Sequence, residues 1–267
     1  MKRNWLSRSY IGVVLAFLYV PILVLIVYSF NSSRGRVWQG FTVEWYSRLF
    51  QNDLIMTSLA NTLIVAVASS LLATLLGTAA AVGIFAMKPK TRSLVMNITY
   101  VPVINPEIVI GVSLVLLFSM IHLDLGFTTL ILAHVTFNVP YVILNVMPKL
   151  RQMDKFLYEA AMDLGCSPNQ AFFKVVIPEI APGIISGLLM SFTYSLDDFI
   201  ISYFVSGPTS QTLPITIYSM MRRKVSPEVN ALSTIIFLVV LVVLILVNLN
   251  DMRTQRLMRK EAVREDV

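Results

Sequence analysis

The chain has 267 residues, 56% of them hydrophobic and only 13% charged, with a formal net charge of +6. That balance is far too apolar for an ordinary soluble domain. The single cysteine, Cys166, excludes an intrachain disulfide and a thiolate metal site.

The apolar residues come in long runs. A hydrocarbon core of ~30 Å takes about 20 residues of helix to cross, and its backbone groups must be satisfied internally. Six stretches qualify, approximately 10–30, 62–87, 96–121, 127–148, 181–206 and 231–250. The prediction is an all-α polytopic membrane protein with six spans, forming one transmembrane domain over residues 1–267. The first run is longer than a signal-peptide core and no A-x-A cleavage site follows it, so it is predicted to be retained. After it, residues 31–61 carry Trp38, Trp45 and Tyr46, which suit a short helix lying at the outer interface.

Lys and Arg set the orientation. With the N-terminus inside, the inner segments hold Lys2, Arg3, Arg8, Lys88, Lys90, Arg92, Lys149, Arg151, Lys155, Lys174, Arg253, Arg256, Arg259, Lys260 and Arg264. The outer segments hold only Arg34, Arg36, Arg48, Arg222, Arg223 and Lys224. Both termini and the 149–180 loop are therefore predicted to be cytoplasmic. Basic residues spread over membrane flanks do not form a nucleic-acid-binding face.

Three carboxylates fall within the apolar spans: Glu107 in the third, and Asp197 and Asp198 in the fifth. A charge at mid-bilayer costs about 2.5–3.5 kcal/mol on insertion scales, so such residues face a cavity or a partner. No Lys or Arg lies within the six spans to offset them. Glu107 follows Asn105-Pro106, where proline removes a helix donor and disturbs the span. In a continuous fifth helix Tyr194 and Asp198 would share one face, while the adjacent aspartates would point apart. His134, near Asn138 and Pro140, reads as a satisfied interior histidine. Unpaired acids on a path suit a cationic cargo such as a polyamine, whose methylene stems would lie against aromatic rings. The same acids could instead carry protons in an ion-coupled secondary transporter, a reading that the inner 149–180 loop argues against.

The inner loop reads as two short helices. Asp154 is predicted to start the first, which ends at Gly165, where positive φ is needed. Ser167-Pro168 fits the start of the second, and Pro178 and Pro182 mark entry to the fifth span. The chain lacks a G-x-x-x-x-G-K-[ST] phosphate loop, and His122 and His134 are not spaced as a metal pair. It is expected to perform no covalent chemistry of its own.

Glu159-Ala160-Ala161, Gly165 after three residues, and Val175-Val176-Ile177-Pro178 after nine more resemble the EAA loop of ABC-importer permeases. Val175 and Ile177 stand where the motif has Ile and Leu. Further matches resemble the PotC-type permeases of spermidine/putrescine ABC importers. They include Phe30-Asn31-Ser32-Ser33, Trp38-Gln39-Gly40-Phe41-Thr42, Trp45-Tyr46, Asp197-Asp198, Gly207-Pro208 and the run Val225 to Ala231.

The resemblance implies a type I importer fold and half of a translocation path. Glu159, Ala160, Ala161, Gly165 and Pro178 would couple it to an ATPase dimer that binds ATP and Mg. Glu107, Tyr194, Ser195, Asp197, Asp198 and Trp45 would line the substrate path. Arg222, Arg223 and Lys224, more basic than is usual there, would lie near the docking surface for an extracytoplasmic polyamine-binding protein. The other implied partner is a homologous second permease, and the implied location is the bacterial inner membrane. Another small solute is the alternative cargo.

Overall fold

The computed structural model describes residues 2–34, 37–154, 156–223, 227–239 and 241–242. They are almost entirely helical, with one isolated antiparallel bridge, Asn31 to Phe41. Backbone contacts group the chain into two compact units, Met1–Asp53 with Ile217–Val267, and Leu54–Thr216.

In the first unit, α1 (Lys2–Tyr28) is an apolar helix long enough to cross a bilayer, with none of its apolar window buried in protein. The chain then turns on Asn31, whose amide donates to Val37 O (2.9 Å) and accepts from Gln39 N–H (3.0 Å). The expected short outer helix is α2 (Glu44–Phe50), with Glu44 and Arg48 joined at 2.6 Å one turn apart.

The second unit holds α3 (Asp53–Ala86), α4 (Pro89–Ile104), α5 (Glu107–Met120), α6 (Phe127–Gln152), α7 (Phe156–Asp163), α8 (Pro168–Ala171), α9 (Ile177–Asp197) and α10 (Ile200–Val205). A π-helical turn, Phe172–Val176, joins α8 to α9. Helix α11 (Leu213–Arg223) leaves this unit, and α12 (Pro227–Val239) follows.

Among the described residues four helices are long and apolar enough to span a membrane, and α4 with α5 makes up to five if that bent pair is one span. The expected sixth span, 231–250, runs past the described residues, α12 covering its first part. The third span breaks at the expected proline, into two helices meeting at 100°. One other expectation needs correction. The fifth span, expected to run unbroken over 181–206, stops at Asp197 and resumes as α10.

Helix α6 is the most enclosed of the long helices. Lipid tails give no hydrophobic drive between helices, so close packing and polar contacts must hold them together. Gly187 of α9 and Gly77 of α3 both abut Val142 of α6. A Cβ at Gly77 would lie 2.6 Å from the Val142 Cβ. A polar contact pins the same three helices: Ser195 Oγ lies 3.0 Å from Ser69 Oγ and accepts from Asn138 Nδ2 at 2.8 Å. Two apolar clusters flank this point. One centres on Val142, Val146, Leu150 and Ile180, the other on Leu114, Leu130, Ile201 and Val205.

Candidate functional site

Two helix breaks face each other across one cavity. The first is favoured locally. Pro106 disfavours the α conformation at Asn105, whose ψ of 142° ends α4. Glu107 then occupies the first turn of α5, where the helix dipole favours a carboxylate. The second break has neither proline nor glycine. Asp198 is extended (φ −61°, ψ 120°) and separates α9 from α10.

Between them lies a cavity of about 550 Å³. Pro102, Asn105, Pro106, Glu107 and Ile110 line one side, Phe137 and Tyr141 come from α6, and Tyr194, Asp197, Asp198 and Phe199 close the other. The rings of Tyr141 and Tyr194 stand 4.5 Å apart. Irregular backbone at membrane depth is tolerated where it lines such a cavity. The site gathers three carboxylates and aromatic faces, with no Lys or Arg among its lining residues. Its chemistry suits a cation with apolar stems.

The acids are not equivalent. Glu107 and Asp197 are exposed, whereas Asp198 is only 8% exposed. Its carboxylate accepts from Ser202 N–H at 2.7 Å and Ile201 N–H at 3.3 Å, so it caps α10. His134 Nε2 lies 3.5 Å from the same carboxylate and 3.0 Å from Ser202 Oγ. Asp198 therefore has a partner in its own chain, which the search for Lys and Arg within the spans missed. Because the helix stops before it, Asp198 does not continue the α9 face of Tyr194.

Two residues expected on the path are not among those lining this cavity. Ser195 is buried between Ser69 and Asn138, on the side of α9 that packs against α3 and α6. Trp45 is 3% exposed within the first unit; its Nε1–H donates to Asn31 O at 2.7 Å, and the Arg34 and Arg48 guanidiniums lie over its ring. Sequence reasoning in turn missed Tyr141 and Phe137. Their signal was weak, since an aromatic residue on an apolar helix is common.

The inner loop has the predicted local structure. Asp154 Oδ1 accepts from Phe156 N–H at 2.9 Å, opening α7. Gly165 takes φ +90°, and the bonds Cys166 N–H to Ala161 O and Gly165 N–H to Met162 O complete a Schellman ending. Ser167 and Gln170 exchange a reciprocal capping box at the start of α8. Glu159, Ala160, Gly165 and Pro178 are exposed. Ala161, expected with them on a docking surface, is 7% exposed and faces its own chain. Exposed apolar side chains flank the acid instead, with Phe156 at 71% and Leu164 at 87%.

Of the basic triplet, Arg222 is exposed near the end of α11, its guanidinium 6.0 Å from the Tyr218 ring. Arg223 ends that helix, and Lys224 lies outside the described residues. No group of three or more His, Cys, Asp or Glu side chains is placed to hold a metal among the described residues. His122 sits at the left-handed position that ends α5 (φ 55°).

This is the architecture of an ABC-importer permease. The chain superimposes on a bacterial ABC transporter involved in import of the acidic polysaccharide alginate, with a TM-score of 0.72 at 14% identity, covering 93% of this chain and 95% of the other. A model of the binding-protein-dependent transport system inner membrane component family matches residues 73–259, and the chain belongs to that family. It is 41% identical to the spermidine/putrescine transport system permease protein PotC of Escherichia coli K12, over 88% of this chain and 90% of that protein. It is 43% identical to the putrescine transport system permease protein PotI of the same organism, over 82% and 81% of the two chains.

Proposed function

We propose that this chain, as one transmembrane domain over residues 1–267, is the permease subunit of an ATP-driven polyamine importer. The observation that carries the reading is the cavity itself. Glu107 and Asp197 present carboxylates beside the Tyr141 and Tyr194 rings, where two spans break and no basic side chain lines the wall. Carboxylates match spaced ammonium groups, and aromatic faces match both the ammonium charge and the methylene stems. The identity to PotC and PotI supports the same cargo class.

Cargo would arrive from an extracytoplasmic binding protein, and a homologous permease would form the other half of the path. Both termini and the α7–α8 loop would face the cytoplasm. There Glu159, Ala160, Gly165 and the apolar residues beside them would dock on a partner ATPase that binds ATP and Mg. Arg222 and Arg223, with Lys224, would attract acidic residues of the binding protein. Neutralising these residues is expected to slow binding-protein association, most at low ionic strength, where screening is weak.

Uptake by the assembled complex in energised vesicles tests the function. Polyamine uptake is expected to collapse on ATP depletion and to survive an uncoupler; the reverse pattern would establish ion coupling instead. Glu159→Lys is expected to leave the complex assembled but to abolish binding-protein-stimulated ATPase activity. Normal stimulation in that variant would remove the docking role of α7.

A further inference from the structure

We propose that His134 is a positioning residue: by holding Asp198 and Ser202 it fastens the break between α9 and α10 and keeps Asp197 turned toward the cavity. The inference rests on the cavity being part of the transport path, and it gives the two adjacent aspartates different roles.

Nothing local obliges α9 to stop. The residues across the break, Leu196 to Ile200, include no proline or glycine. The two amide bonds that Asp198 accepts make a cap at the start of α10. A six-residue helix such as α10 is marginal alone, so a cap by itself does not hold it. The remaining restraint comes from α6. The His134 ring is 0% exposed, and its Nε2 meets Ser202 Oγ at 3.0 Å. Its Nδ1 has no hydrogen-bond partner among the described residues, so its polar contacts all point to Asp198 and Ser202. Ile201 and Val205 of α10 pack in one apolar cluster with Leu130 and Ala133 of α6.

The consequence falls on charge. Asp198 is committed to two amides and an imidazole, which leaves few acceptor sites for a passing ammonium. Asp197, the last residue of α9, is exposed at the cavity wall. His134 does not line that wall. It therefore acts on transport by fixing where the backbone turns.

The test uses the full complex, counting only assembled material. In a Cys166→Ala background, Asp197→Cys is labelled with a membrane-impermeant cationic thiol reagent. Adding His134→Leu is expected to slow labelling about tenfold, in keeping with couplings between contacting residues. His134→Gln, which retains a donor, is expected to restore most of the rate. Should His134→Leu fail to assemble, Ser202→Ala removes the 3.0 Å partner and is expected to slow labelling several-fold. Unchanged labelling in His134→Leu or Ser202→Ala overturns the proposal, as does a His134→Gln variant labelled as slowly as His134→Leu.

A second arm measures the KM of polyamine uptake in His134→Leu, Asp198→Asn and the double variant. Non-additive effects support the shared role, and additive effects overturn it. If the wild type takes up no polyamine, the cargo assignment fails while the labelling arm still reads the break.

Discussion

The two helix breaks beside the cavity are held by different means. At Asn105-Pro106 the break is favoured locally: the proline removes a donor and biases Asn105 away from the helical conformation, and the two helices meet at 100°. At Asp198 the backbone could continue as a helix, and a capping carboxylate with an imidazole from another helix holds it open. The first break is thus favoured by its own residues, whereas the second depends on buried side chains. Each break leaves one exposed carboxylate at the cavity, Glu107 and Asp197. Two routes arrive at the same chemistry.

The largest expected effect comes from unfastening the second break. Asp198→Ala strands two amides and His134 in a buried site, and leaving a buried polar group unsatisfied costs roughly 1–3 kcal/mol for each. The thermal stability of the purified complex is expected to drop sharply or the complex to fail to assemble. Asp197→Ala, one residue away, should do neither. Equal stability of the two variants would erase the contrast between the aspartates.

Pro106→Ala acts on the first break. It removes a bias of about 3 kcal/mol against a through-helix, so α4 and α5 are expected to straighten. Uptake per assembled complex should fall with little loss of stability. Unimpaired uptake would mean that packing, not the proline, sets the bend.

The exposed acids test what the breaks are for. A hydrogen bond to a charged group contributes about 1.5–3 kcal/mol, so Asp197→Asn or Glu107→Gln should raise the KM for polyamine at least about tenfold. Assembly should be normal in both. Near wild-type uptake by the combined Glu107→Gln, Asp197→Asn, Asp198→Asn variant would sink the role of charge while leaving the permease assignment standing.

The aromatic wall should matter least. Cation–π contacts contribute about 0.5–2 kcal/mol, so Tyr194→Leu or Tyr141→Leu is expected to raise KM a few-fold, and Tyr194→Phe to leave it nearly unchanged. A loss in Tyr194→Phe as large as in Tyr194→Leu would shift the weight from the ring face to the hydroxyl.

By itself the sequence determined whatever is enforced within a few residues. Hydropathy located the long apolar helices, Pro106 announced a disturbed span, and Asp154, Gly165 and Ser167 marked the ends of α7 and the start of α8. These are constraints of covalent geometry, backbone conformation and capping distance, and they act wherever the segment is placed. Tertiary structure alone decided which acid faces the cavity, because that depends on a partner far along the chain. His134 and Ser202 are 68 residues apart, and no spacing rule links them. The same reason accounts for Ser195, drawn off the cavity by Ser69 and Asn138, and for Trp45, enclosed by Asn31 and two arginines. A polar side chain in an apolar setting must find a partner, and the sequence states the need without naming which helix meets it.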